Sequence, residues 1–116
     1  MPLLKLETSV TLGKDKKTSL LSSLSRILAQ DTGKPEGYVM VVIEDCASVM
    51  MAKKECAGAL VDIRGIGGLS GGVNKKLSES VCALLQEECG IPPEAVYLNF
   101  TEVKAENWGF NNSTFA

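Results

Sequence analysis

Tyr38-Val39-Met40-Val41-Val42-Ile43 is a continuous apolar run, the mark of a strand buried on both faces. Upstream of it, Leu20, Leu21, Leu24, Ile27 and Leu28 fall at helical spacing and predict an amphipathic helix over 15–31. Gly33 suits the C-terminal cap of that helix, and Pro35 prevents its continuation. Further upstream, Leu4, Leu6, Thr8 and Val10 alternate with Lys5, Glu7 and Ser9, which reads as a strand starting at the first residues. Downstream, 44–56 reads as a loop or irregular edge, and Ala57 to Arg64 alternates as a further strand. A glycine-rich turn (Gly65, Gly67, Gly68, Gly71, Gly72) leads into a second helix marked by Val73, Leu77, Val81, Leu84 and Leu85. Gly90 and Pro92-Pro93 close it, Val96 to Thr101 is the last strand, and 102–116 reads as a polar, aromatic-tipped tail.

The chain is therefore β-α-β followed by β-α-β, with halves of about 2–44 and 57–101. This is a single α+β domain over 1–116: a four-stranded mixed sheet of split βαβ type, with two antiparallel helices on one face. Two helices cover one face only. Because the 38–43 strand is apolar on both sides, the second face is expected to be covered by further copies of the chain.

Composition narrows the function. A net charge of −2 and a pI near 5.1 provide no field for nucleic acid or an anionic membrane, and the basic run at Lys14-Asp15-Lys16-Lys17 is interrupted by an acid. No stretch approaches the ~20 apolar residues of a membrane span, and the first residues lack the basic flank and apolar core of a signal peptide. Cys46, Cys56, Cys82 and Cys89 form no C-x-x-C pair and are expected to be reduced. No metal site is expected. The chain has no histidine, so every histidine-based dyad or triad is excluded. Acid–base chemistry falls to a carboxylate, lysine, tyrosine, cysteine or the chain's own amino terminus.

Pro2 has two readings. In the first it is a rigid residue opening an edge strand, where its missing N–H costs nothing. In the second Met1 is removed, and Pro2 carries a free secondary amine on a fixed ring. In a peptide bond that nitrogen's lone pair is delocalised; freed, it accepts a proton. An α-amino group titrates near ~8, and an apolar pocket lowers that value, leaving a neutral base at pH 7.

The Met1-Pro2 start, Thr32-Gly33-Lys34-Pro35 with Tyr38-Val39-Met40, Gly65-Ile66-Gly67-Gly68, Val96-Tyr97-Leu98-Asn99-Phe100 and Asn111-Asn112-Ser113-Thr114-Phe115 together resemble the macrophage migration inhibitory factor family of the tautomerase superfamily. The resemblance runs the whole chain. It implies a homotrimer with active sites between subunits and a keto–enol tautomerase (an isomerase) acting on phenylpyruvate-like aromatic 2-keto acids and dopachrome-type substrates, without a cofactor. It implies Pro2 as the catalytic base, Lys34 as the cation for the substrate carboxylate, and a hydrogen bond from the Ile66 backbone N–H. Tyr97 and Asn99 would come from a neighbouring subunit, and Tyr38, Trp108, Phe110 and Phe115 would line an aromatic mouth. Taken singly, the plainer readings are favoured, with Lys34 a solvated turn lysine, Tyr97 a strand aromatic and Phe115 a frayed tail; the family pattern is what selects the functional ones.

The sequence also departs from the family. Val49-Met50-Met51-Ala52-Lys53-Lys54 lacks the usual phenylalanine and paired glycines, Phe110 stands where a tryptophan is common, and Gly58 and Val61 replace the thiol pair tied to redox activity in some members. No redox activity is expected. Three other readings stand beside the tautomerase: a cytokine-like protein, cytoplasmic and exported without a signal peptide, that meets a cell-surface receptor; a decarboxylating dopachrome tautomerase; and a ferredoxin-like domain that binds small molecules without catalysis.

Overall fold

The alternating run at the start of the chain forms one of the two interior strands of the sheet. The computed structural model describes residues 2–116. In chain order its elements are β1 (Leu3–Thr8), α1 (Lys14–Thr32), β2 (Met40–Glu44), β3 (Met50–Met51), β4 (Lys54–Glu55), β5 (Ala59–Gly65), α2 (Gly71–Cys89), β6 (Val96–Glu102), β7 (Gly109–Phe110) and β8 (Ser113–Thr114). The main sheet has the order β2-β1-β5-β6. β1 runs parallel to β2 (Leu3 opposite Met40) and antiparallel to β5 (Leu3 opposite Arg64), while β5 and β6 are parallel (Ala59 opposite Val96). Each parallel pair is joined through a helix, as a parallel crossover requires.

Every second residue of β1 and β5 enters the core. Leu4, Leu6, Val61 and Ile63 pack against Leu24 and Leu28 of α1 and Leu77, Val81 and Leu85 of α2, all of them buried. Both helices end on a glycine in the left-handed region, Gly33 at φ 72° and Gly90 at φ 68°, as the sequence predicts. Ser70 caps the start of α2 by accepting the Val73 N–H at 3.2 Å. At the start of α1 the Asp45 carboxylate, just after β2, accepts the Leu12 N–H at 2.9 Å and lies 3.0 Å from Lys17 Nζ. Those contacts, the backbone N–H first, hold the Asp45 carboxyl at about 2, below its ordinary 3.8.

Three expectations change. Tyr38 belongs to a 3₁₀ turn over Glu36–Tyr38, so the strand begins at Met40. That strand is an edge and is not buried on both sides: Met40 is 62% exposed. The face away from the helices mixes apolar Met40, Val42, Leu60 and Tyr97 with Lys5, Glu7, Glu44, Asp62 and Arg64, so it is less apolar than the 38–43 run implies. β1 is central, so Pro2 does not open an edge strand.

The two segments read as loop and tail each contain a hairpin. β3 and β4 turn through Ala52 (φ 53°) and Lys53 (φ 69°), and β7 and β8 through Asn111 (φ 51°) and Asn112 (φ 66°). Two consecutive left-handed residues are the geometry of the two-residue turn that matches strand twist. Ala52 and Lys53 adopt it at the place where the family usually has glycines. Gly58 is fixed by packing: a Cβ there would lie 2.8 Å from Val49 Cγ1 and 3.1 Å from the Ala95 carbonyl oxygen.

Candidate active site

The start of β1 opens into a cleft of about 400 Å³. Pro2, buried, is among its lining residues, one residue before the paired strand, and its carbonyl oxygen accepts the Met40 N–H at 3.1 Å. The residue therefore inherits the rigidity of the central strand. Tyr38, from the turn before β2, forms one wall. The β7–β8 hairpin folds the last residues back to form the other, with the Phe115 N–H donating to the Trp108 carbonyl oxygen at 3.2 Å. Tyr38 meets Phe110 and Phe115 edge-on, with ring centroids 5.9 and 6.0 Å away, and Phe110 stacks on Phe115 at 5.2 Å. These are favourable aromatic geometries. They leave a preformed apolar mouth with Trp108 at its side. The predicted residues Pro2, Tyr38, Trp108, Phe110 and Phe115 are thus brought together; Leu3, Val39 and Met40, which sequence reasoning did not select, line the same cleft.

Lys34 and Ile66 form a second group. The turn after β5 passes through Gly67 (φ 69°) and Gly68 (φ 82°), and the Lys34 side chain lies across it. A Cβ on Gly68 would sit 2.8 Å from Lys34 Cε, and one on Gly67 would sit 3.5 Å from Nζ. The glycines thus leave the lysine its place. Among the described residues no carboxylate lies within 4.0 Å of Lys34 Nζ, and no acceptor takes the Ile66 N–H. A free ammonium lying against a turn that carries a free backbone donor is what an anion needs.

Tyr97 and Asn99 do not reach the cleft of their own chain. Tyr97 is opposite Leu60, which is opposite Glu7, five residues along β1 from Pro2. Tyr97 is 65% exposed on the face away from the helices, beside an apolar recess of about 290 Å³ that includes Leu60, Met50 and Met51. Asn99 lies on the same face, opposite Asp62, and is exposed. Removal of Met1 concerns a residue outside those described.

All four cysteines are free, and burial pushes the Cys82 and Cys89 thiols up from their ordinary value. Among the described residues there is no group of three or more histidine, cysteine or carboxylate side chains placed to hold a metal ion, and no helix is long and apolar enough to cross a membrane.

The chain is a small α+β protein of split βαβ type, with an aromatic cleft lined in part by Pro2 at the head of an interior strand. The chain belongs to the macrophage migration inhibitory factor family, whose pattern matches residues 1–116. It is 36% identical to macrophage migration inhibitory factor of Meriones unguiculatus over 97 residues, covering 84% of each chain. With the Xenopus laevis protein it shares 33% identity over the full length of both. The crystal structure of a homologue from Prochlorococcus marinus superposes with a TM-score of 0.93 at 35% identity, covering 98% of this chain and 99% of that one. The corresponding Entamoeba histolytica structure gives 0.94 at 32% identity, covering 98% of both.

Proposed function

We propose that the protein is a homotrimeric keto–enol tautomerase of aromatic 2-keto acids such as phenylpyruvate, with Pro2, freed by loss of Met1, as the base. The observation that carries this reading is the placement of Pro2: buried, tied to the central strand and facing a preformed aromatic cleft. Burial disfavours the charged amine, so a free Pro2 would titrate below the ~8 of an exposed α-amine.

The substrate's ring would lie among Tyr38, Phe110 and Phe115, with its carboxylate toward Lys34 and the Ile66 N–H. Pro2 removes a proton from the carbon next to the ketone, the C–H electrons form the carbon–carbon double bond, and negative charge moves to the ketone oxygen. Lys34 stabilises that charge as it develops. Pro2 then returns the proton to oxygen, giving the enol; the reverse sequence gives the ketone. Tyr97 and Asn99 of an adjacent subunit would close the site. Dopachrome-type substrates carry a comparable acidic proton beside a carbonyl. The relatives' name describes an effect on macrophage migration, which supports a second reading as an extracellular ligand for a cell-surface receptor; the two roles are compatible in one trimer.

The test compares three N-termini, each verified by intact mass, in an ultraviolet enol–keto assay. Chain beginning at Pro2 should be active, with kcat/KM rising through one group below pH ~8. Chain with Met1 retained has only an amide nitrogen at Pro2 and should lose about 10²–10⁴-fold or more, the usual contribution of a general base. Pro2→Gly, with Met1 removed, keeps a looser primary amine and should fall between them. Full activity in the chain retaining Met1 would place the base elsewhere.

A further inference from the structure

We infer that Glu102 is a positioning residue: by clamping the Gly65–Leu69 turn it holds the Ile66 N–H and the Lys34 ammonium together as one carboxylate-binding pair. The inference rests on the tautomerase reading only in naming the ligand as an aromatic carboxylate.

Glu102 ends β6, and its two carboxylate oxygens each take one backbone donor from the neighbouring turn. Oε2 accepts the Gly67 N–H and Oε1 the Leu69 N–H, both at 3.1 Å. The next residue adds a third tie, with the Val103 N–H donating to the Gly65 carbonyl oxygen at 2.8 Å. The turn is thus fixed at positions 65, 67 and 69 by the last residue of β6 and the residue that follows it. Gly67 and Gly68 are both left-handed, and glycine is the residue with the greatest freedom to leave such a conformation. Without the clamp the turn would have little to hold it. Held, it keeps the Ile66 N–H unpaired and leaves room for the Lys34 side chain, whose Cε would lie 2.8 Å from a Cβ at position 68.

The carboxylate itself does not compete for the lysine. No carboxylate of the described residues comes within 4.0 Å of Lys34 Nζ, and both Glu102 oxygens are already occupied by N–H donors. Its negative charge is therefore used to order the turn, and the ammonium remains available for a ligand. Glutamine at this position could not do the same. It offers one acceptor oxygen, and its NH₂ would face a backbone N–H, donor against donor.

Trp108 is the only tryptophan in the chain and lines the cleft, so its fluorescence reports binding without turnover. The probes are 3-phenylpropionate and its methyl ester, which differ in the charge that the pair would recognise. The wild-type protein should prefer the acid. Glu102→Gln should bind the acid about tenfold more weakly, the effect of losing a charge-assisted hydrogen bond, and the ester unchanged. Lys34→Ala should cost less acid affinity in the Glu102→Gln background than in wild type, because both act through one pair. Glu102→Asp reaches one donor and should be intermediate, which keeps the test open if Glu102→Gln folds poorly. Amide exchange at Gly67 and Leu69 should accelerate in either variant. Unchanged acid affinity, or acid and ester weakened alike, would overturn the clamp. So would a wild-type protein indifferent to the probe's charge. A wild type that prefers the acid but does not tautomerise phenylpyruvate would sink the proposed reaction and leave the clamp standing.

Discussion

Two inactive forms of the protein should restore each other when mixed. One form keeps Met1, blocking the Pro2 amine; the other is Tyr97→Ala/Asn99→Ala with Met1 removed. In the single chain, Tyr97 lies two strands from β1 at the level of Glu7. Five residues of strand rise and two inter-strand spacings place it about 20 Å from Pro2, farther than a tyrosine side chain spans. A site that uses both must draw them from different chains. In a trimer each site then takes Pro2 from one subunit and Tyr97 with Asn99 from the next. After co-refolding at equal amounts, half the subunits supply a free Pro2 and half of their neighbours supply an intact Tyr97. About a quarter of the sites are complete, so the mixture should recover about a quarter of wild-type kcat at unchanged KM. The assay is enol–keto turnover before and after co-refolding, with the trimer confirmed by light scattering. A mixture no more active than the mean of its two parents would refute the shared site, and a monomer would refute the assembly.

Asp45 should make the fold acid-sensitive. Its carboxyl titrates at about 2 when folded against an ordinary 3.8, so its contribution is complete above about pH 4 and is lost as pH falls toward 2. Chemical unfolding should therefore show wild type more stable than Asp45→Asn at pH 7 and the gap closing between pH 4 and 2; a gap constant over that range would exclude the linkage. Ala52→Gly and Lys53→Gly should each stabilise by about 0.5–1 kcal/mol, the strain of a left-handed residue less the entropy of glycine. Thermal unfolding at fixed concentration checks this, and a lower Tm for both would show that the turn is not strained.

Period and punctuation made most of the fold legible. The apolar stripes of the helices and the glycines at 33 and 90 predict both helices to within a few residues, because burial on one stripe and a left-handed cap are local demands that leave local marks. The two hairpins were harder. Met50-Met51-Ala52-Lys53-Lys54-Glu55 carries neither glycine nor asparagine at its turn, so its shape is imposed against local preference. The second was readable: Asn111-Asn112 tolerates the left-handed region, and a turn there turns a tail into a wall of the cleft. Within the site, the roles proposed for Pro2, Lys34 and Ile66 come from resemblance, and the role proposed for Glu102 has no mark in the sequence. A carboxylate at the end of a strand is commonplace; only its two 3.1 Å contacts distinguish it.

The open face of the sheet explains why interface and active site should be one surface. The 38–43 run suggests a dry apolar cover, but Lys5 lies 3.7 Å from Glu44, Arg64 lies 3.1 Å from Asp62, and these side chains are between 32% and 58% exposed. Sealing them without water would cost several kcal/mol per ion, more than surface pairs of this kind return. In the proposed trimer the middle of this face must therefore stay hydrated, and the contacts must be made at its apolar margins. Those margins are Met40 on β2 and Leu60, Tyr97 and Met50 at the other end, each 41% or more exposed. Met40 lines the Pro2 cleft, and Tyr97 borders the apolar recess two strands away. Bringing the first margin of one chain against the second margin of the next buries the exposed apolar surface and carries Tyr97 toward Pro2 in the same movement. Assembly and completion of the site then follow from one arrangement of apolar residues, and a substitution that charges either margin, such as Leu60→Glu, would remove both together.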